Sequence, residues 1–138
     1  MALDVGERTI GIALSDESRM IASPLTTIRR TSLPEDLSVV AELVRARNVQ
    51  EIVVGLPRSL DGTLHFQAER TLSFIEGLRG VVQVPIHLWD ERFSTAEAER
   101  ALISGQVRRE RRKEVVDMVA AALILQGFLA SQAFARDH

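Results

Sequence analysis

The chain has no cysteine and no tyrosine, and it has only one tryptophan and one lysine in 138 residues. Without cysteine there is neither a disulfide framework nor a thiolate-held zinc site, and a reducing compartment is compatible. With aromatic residues at 4%, a single-strand binder built on base stacking is poorly supported. No uninterrupted apolar run approaches the ~18 residues that suggest a membrane span. No basic segment followed by an apolar one opens the chain, so a cytoplasmic protein without a membrane partner is expected. A Gly-x-Ser-x-Gly elbow and a P-loop are also missing. His65 and His87 stand at no metal-ligand spacing. His87, between Ile86 and Leu88, reads as a satisfied strand residue, and Trp89 as core.

What is present is an ordinary globular balance, with 46% hydrophobic and 26% charged residues. A chain this long buries roughly two thirds of its extended surface on folding, so one domain over residues 1–138 is expected. The net charge of −2 argues against a generic polyanion binder. Its distribution says more. Sixteen of the seventeen basic residues are arginine, and five of the six residues at 108–113 are basic: Arg108, Arg109, Arg111, Arg112 and Lys113. Such a run is either a solvated helix entry or a phosphate contact, which arginine makes in planar, bidentate fashion.

Patterning predicts strands over residues 1–4, 9–14 and 21–28, joined by polar turns into an antiparallel meander. Ser32-Leu33-Pro34-Glu35 is a capping box with proline in the first turn, opening a helix to about residue 47 with Leu37, Val40, Leu43 and Val44 on one face. A buried strand follows at 51–56, then an Asp61-Gly62 turn. A helix over 64–78 faces Leu72, Ile75 and Leu78 to the core, and another strand covers 82–89. Ser94-Thr95-Ala96-Glu97 caps a short helix to about residue 103, which Gly105 ends. A last helix is expected at about 111–133. Hairpins first and βαβ units later imply an α/β fold, a mixed sheet with helices packed on it.

Acidic residues stand where burial should discourage them. Asp4 ends Met-Ala-Leu, Asp90 and Glu91 end Val-Pro-Ile-His-Leu-Trp, and Asp117 interrupts Val115, Val116, Met118 and Val119. Singly, each reads as a turn or helix-entry acid. An ionised carboxylate in apolar surroundings is costly unless it is paired or holds a metal. Two acids at strand ends and one on a helix can converge at a sheet edge, where α/β sheets gather their ligands. Mg²⁺ and Mn²⁺ prefer such hard oxygen donors. Two ions about 4 Å apart would activate water and stabilise the leaving oxygen in phosphodiester hydrolysis. Without metal the acids repel and hold protons more readily, so metal binding should strengthen as pH rises.

Several stretches, in order over nearly the whole chain, carry a family likeness. They are Leu3-Asp4-Val5-Gly6 with Ile10-Gly11-Ile12-Ala13-Leu14-Ser15-Asp16, Val54-Gly55-Leu56-Pro57 with Asp61-Gly62-Thr63, Asp90-Glu91-Arg92-Phe93-Ser94-Thr95, and Val116-Asp117-Met118-Val119 through Gln126. The sequence resembles the YqgF family, also called RuvX, bacterial relatives of the RuvC Holliday-junction resolvases. The resemblance implies an RNase H-like fold with a central mixed five-stranded sheet. It implies Mg²⁺ or Mn²⁺ as cofactor and Asp4, Glu91 and Asp117 as catalytic metal ligands, with Asp90 a further ligand or a positioning group. It also implies maturation of the 5′ end of 16S rRNA precursor or, by analogy, junction resolution.

Two features depart from the family's pattern. Thr9 stands where members usually carry a basic residue, which Arg8 replaces one position earlier. Only three residues precede Asp4, which predicts a short, fraying first strand.

Candidate nucleic-acid contacts are Arg8, Arg58, Ser59 and Arg92 besides the 108–113 cluster. Lys113 precedes Asp117 by one helical turn, as a site cation or as a plain i,i+4 salt bridge. Gly6 reads equally as a turn glycine or as room for backbone close to Asp4.

The expectation is a metal-dependent endonuclease on precursor rRNA or branched DNA, monomeric or homodimeric. The alternatives are a non-catalytic ribosome-assembly factor and a phosphate-binding lobe of the sugar-kinase type. The intact acid set argues against the first. The second needs two lobes, and the chain supplies one.

Overall fold

The chain opens with strands β1 (Ala2–Val5), β2 (Thr9–Ser15) and β3 (Ala22–Arg29), which form the expected meander. Helix α1 (Leu33–Ala46), strand β4 (Ile52–Leu56), helix α2 (His65–Arg79), strand β5 (Ile86–Asp90) and helix α3 (Arg112–Asp137) follow. The computed structural model describes residues 1–56, 65–90 and 112–137, and at 65, 112, 113 and 134–137 the backbone alone. The helix expected at 94–103, Gly105 and the Asp61-Gly62 turn lie outside the described residues.

The sheet order among the described residues is β3-β2-β1-β4-β5, with β4 parallel to both β1 and β5. The opening strand is therefore central, and the expected fraying does not occur. Ala2 and Leu3 are fully buried, and Val53 N–H donates to the Met1 carbonyl at 2.9 Å. A strand paired on both sides has no free ladder edge from which to peel.

Strand alternation divides the core in two. Leu3, Val5, Ile10, Ile12, Ile52 and Val54 face α1 and α2, meeting Leu37, Val40, Val44, Phe74, Ile75 and Leu78. Ala2, Ala13 and Val53 face α3 and pack against Ala121, Ile124, Leu125 and Leu129, with Trp89 and Phe128 beside them. The α3 side uses small residues, so this helix lies close on the sheet. Trp89 is core as expected, meeting Phe128 edge-on with ring centroids 6.1 Å apart. His87 is satisfied by Glu51, Nε2 to Oε1 at 3.1 Å.

Four sequence expectations need correction. Leu72 is 46% exposed, whereas Thr71 is fully buried. Thr71, Phe74, Ile75 and Leu78 make the i, i+3, i+4, i+7 stripe. The Thr71 hydroxyl donates to the Gln67 carbonyl at 3.0 Å, so it enters the core already satisfied. The strand expected at 82–89 begins only at Ile86, because Pro85 has no N–H for the ladder. The first capping box is half formed. Glu35 N–H donates to Ser32 Oγ, but the Glu35 carboxylate accepts from Thr31 Oγ1 instead of reaching back to the cap. Finally, Glu114–Ala133 has a mean hydropathy of 1.6 and the length of a membrane span. Asp117 and Gln126 interrupt its apolar residues, but they do not lower its average enough. Within the fold its Ala120–Leu125 stretch packs on the sheet.

The Met1 amine donates to the Glu51 carbonyl at 3.0 Å from a largely buried position. Burial pushes its pKa from 8.0 down to about 6, against the pull of Glu51 and helped by Arg19. Between pH 6 and 8 the unfolded chain then binds more protons than the folded one, so stability rises with pH across that window. Urea unfolding at pH 8 should give about 2 kcal/mol more than at pH 6, and N-terminal acetylation should abolish that difference. Equal pH dependence with and without the acetyl group would refute it.

Candidate active site

Asp4 lies near the C-terminal end of β1, on the α3 face of the sheet by alternation with Leu3 and Val5. Its cross-strand partner is Gly11. At Gly11 the backbone of α3 lies directly against the sheet. A Cβ built there would overlap the carbonyl carbon and oxygen of Asp117. A glycine between two isoleucines in a strand is thus explained by backbone approach. It also sets the Asp117 backbone over the residue paired with Asp4.

The rotation of α3 is held at two points. Thr27 Oγ1 donates to the Glu114 carbonyl at 2.6 Å. Gln126 accepts from Ala22 N–H at 3.0 Å and donates to the Met20 carbonyl at 2.9 Å. Between these pins, Thr9 Oγ1 donates to Asp117 Oδ2. Thr9 is 8% exposed, so this hydroxyl meets the carboxylate away from most solvent and directs one of its oxygens.

The loop between Asp4 and Thr9 is equally well held. Gly6 N–H donates to the Thr9 carbonyl at 2.8 Å, and Arg30 Nη1 donates to the Gly6 carbonyl at 3.0 Å. Arg30 is itself fixed by buried Asp36, Nε to Oδ2 at 3.0 Å, and lies 5.5 Å from the Phe74 ring centroid. Thr31 N–H occupies the other oxygen of Asp36 at 3.0 Å. Both charges of this pair are therefore matched by polar partners, as a buried pair requires. Gly6 has no positive φ, but a Cβ there would lie 3.0 Å from the Thr9 carbonyl oxygen, so close backbone approach is the reading of the two that the structure favours.

Asp90 ends β5 opposite Leu56, at the same sheet edge as Asp4. Alternation puts it on the face of Ile86, which packs with α1 and α2, and not on the face of Trp89. Arg8 is exposed on the β1–β2 turn beside Thr9. Arg112 and Lys113 begin α3 with only their backbone described. Glu91, Arg92, Arg58, Ser59, Arg108, Arg109 and Arg111 lie outside the described residues. The structure thus sets the Asp117 backbone over Gly11, the strand partner of Asp4, with Arg8 next to Thr9 on the adjoining turn. Sequence reasoning gave Thr9 and Gly11 no role here. The signals were a strand-interior glycine at 11 and a hydroxyl at 9 where the resemblance implies a basic residue.

Among the described residues, no group of three acidic or histidine side chains is close enough to hold a metal. The two described carboxylates on the α3 face are hard oxygen donors of the type Mg²⁺ and Mn²⁺ take. One is already oriented by a neighbouring hydroxyl, as metal-binding carboxylates generally are. The donor set fits such an ion, with a further ligand needed.

The same architecture occurs in a solved structure, T. thermophilus RuvC in complex with Holliday junction substrate. The TM-score is 0.62 at 14% identity, over 95% of this chain and 93% of that one. The fold is RNase H-like. Residues 1–131 match RuvX, the family described as Holliday junction resolvase. A protein of Caldanaerobacter subterraneus subsp. tengcongensis, named "Putative pre-16S rRNA nuclease", is 47% identical over 96% of each chain. One of the same name from Moorella thermoacetica is 50% identical over 94% of this chain and 92% of its own. The chain belongs to the RuvX family.

Proposed function

We propose that this protein is a metal-dependent endonuclease that hydrolyses phosphodiester bonds, with the 5′ end of 16S rRNA precursor as its substrate. The observation that carries this reading is the placement of Asp117, held by Thr9 over Gly11, the strand partner of Asp4. The Asp117 backbone lies over the strand partner of Asp4, which supports an acid pair at the strand ends where such folds gather ligands. The name of the curated relatives supports the substrate, and the RuvC likeness supports the fold for nucleic-acid chemistry.

Asp4, Asp117 and Glu91 would hold Mg²⁺ or Mn²⁺ through carboxylate oxygens. Consecutive residues of an extended strand face opposite ways. Asp90 alternates onto the face of Ile86, opposite that of Asp4, so it would be a positioning group. A divalent ion held there supplies activation of water and neutralisation of the leaving oxygen. Thr9 engages Oδ2 of Asp117 and so orients the carboxylate that would hold a cation. Arg30 keeps the Gly6 loop, and with it Asp4, in place. Arg8, Arg58, Ser59, Arg92 and the 108–113 cluster would bind flanking phosphates.

The test is to incubate purified protein with a 16S precursor fragment and with a four-way DNA junction, in Mn²⁺, Mg²⁺ or EDTA. Cleavage of the RNA at its 5′ side with either metal, and none in EDTA, is expected. Cleavage that survives EDTA would remove the metal mechanism. Cleavage of the junction alone would replace the substrate, and symmetric junction cutting would call for a homodimer. Assembly activity without cleavage would favour a non-catalytic factor.

A further inference from the structure

A cleft of about 820 Å³ opens beside Thr9, bounded by the β1–β2 turn, the end of β3 and α2. We propose that it is a second phosphate-binding subsite, which takes the sugar-phosphate backbone of a strand leaving the acid cluster. The inference rests on the nuclease reading for its substrate but not for its chemistry.

Besides Arg30, three arginines from three separate elements line the cleft: Arg8 on the turn, Arg29 at the end of β3 and Arg70 on α2. Arg29 and Arg70 belong to none of the motifs described above. Arg29 is 85% exposed, and its carboxylate neighbour is Glu114, with Nε to Oε1 at 3.9 Å. That contact is at the limit of an ion pair, and an exposed pair contributes little, so a phosphate can displace it. Arg30 is not a ligand here, since Asp36, Gly6 and the Phe74 ring already occupy it. Outside that buried pair, the cleft sets three arginines against Glu7 and Glu114. The excess of cation is therefore small and local. It suits discrete phosphates spaced along a strand, not a diffuse polyanion.

Two further features point to backbone and not bases. No aromatic side chain among the described residues lines the cleft, so nothing offers a stacking platform. Arginine, by contrast, matches phosphate oxygens with a bidentate fork. The N-terminus of α1 also opens here, but Ser32 Oγ already accepts from Glu35 N–H, and Glu35 and Asp36 fill its first turn. The arginines rather than the helix dipole supply the attraction.

The cleft borders the candidate active site through Thr9. Thr9 lines it and also holds Asp117, and Glu114 lies one turn before Asp117 on α3. Arg70 lies on the opposite side of the sheet, on α2. A strand entering at the acids would pass the ends of β1 and β3 and leave along α2.

Binding of an RNA duplex carrying a single-stranded 5′ extension should be measured in EDTA by fluorescence anisotropy across a salt series. The Arg29→Gln and Arg70→Gln variants, the double variant, and Arg45→Gln as a control would be compared with the unaltered chain. Arg45 pairs with Glu42 on the exposed last turn of α1, away from the cleft. Each cleft substitution should weaken binding about fivefold to eightfold at 0.1 M salt and lower the salt slope by roughly 0.7 to 0.9. The double variant should show about twice that drop in slope, and Arg45→Gln none. Unchanged slopes in the double variant, or an equal drop from Arg45→Gln, would overturn the subsite. Because no metal is present, these outcomes are independent of catalysis. A chain that binds with the full slope yet cleaves nothing once Mn²⁺ or Mg²⁺ is supplied would refute the nuclease and leave the subsite standing.

Discussion

Asp4→Asn, Glu91→Gln and Asp117→Asn are each expected to lower cleavage at least about 100-fold, because each removes a hard oxygen ligand from a divalent ion. The substitutions keep side-chain shape, so packing is little disturbed. Asp4 and Asp117 share one face of the sheet edge, and like charges there repel when no cation is bound. In EDTA the variants should therefore melt at or above the temperature of the unaltered chain. Adding Mn²⁺ should raise the melting temperature of the unaltered chain, since a ligand that binds only the folded state stabilises it. In the variants that rise should be largely lost. A structural role for the acids predicts the opposite: lower melting in EDTA and an intact response to Mn²⁺. Cleavage that persists in all three variants would end the proposed chemistry.

Gly11→Ala is expected to destabilise the fold by about 3 kcal/mol, the upper range for forcing extra volume into a packed core, and to lower the melting temperature by roughly 10 °C. The added methyl would meet backbone, the Asp117 carbonyl and the Met118 nitrogen, which cannot turn aside. Helix α3 would have to lift, taking Asp117 away from Thr9 and from Asp4. Cleavage should therefore fall by more than the loss of folded protein accounts for. Gly77→Ala is the matched control. A Cβ there meets the tip of Leu37 at 2.7 Å, a side chain that can move. Alanine also gains helix propensity of about 1 kcal/mol over glycine. That variant should stay within about 1 kcal/mol of the original. A Gly11→Ala protein as stable as Gly77→Ala would show that α3 does not depend on this approach.

Much of the architecture was readable from local pattern. The meander follows from alternation within residues 1–28, and α1 from Ser32, Pro34 and the Leu37-Val40-Val44 stripe. Both depend on spacings of two to four residues, which a sequence displays directly. The failures are also physical. Hydropathy preferred Leu72 to Thr71, but Thr71 satisfies its hydroxyl within its own helix and can be buried. The strand expected from residue 82 ignored what Pro85 lacks. The expected fraying of the first strand ignored β4, a partner about fifty residues away.

The candidate site divides in the same way. Asp4 and Asp117 stood out because ionised groups are costly in apolar runs. Thr9 and Gly11 did not, because neither a hydroxyl nor a glycine is unusual in a strand. Their roles exist only across the 108 residues that separate Thr9 from Asp117.

By itself, the sequence determined most of the described helices and strands, the family motifs and the acids that demand a partner, since each depends on residue type and short spacing. Only the tertiary structure decided that the opening strand lies at the centre of the sheet. It alone decided that α3 closes onto Gly11, that Thr9 orients Asp117, and that Arg8, Arg29 and Arg70 share one cleft. Those contacts join residues far apart in the chain, and packing of the whole sheet against its helices selects them over every other pairing the same local patterns allow.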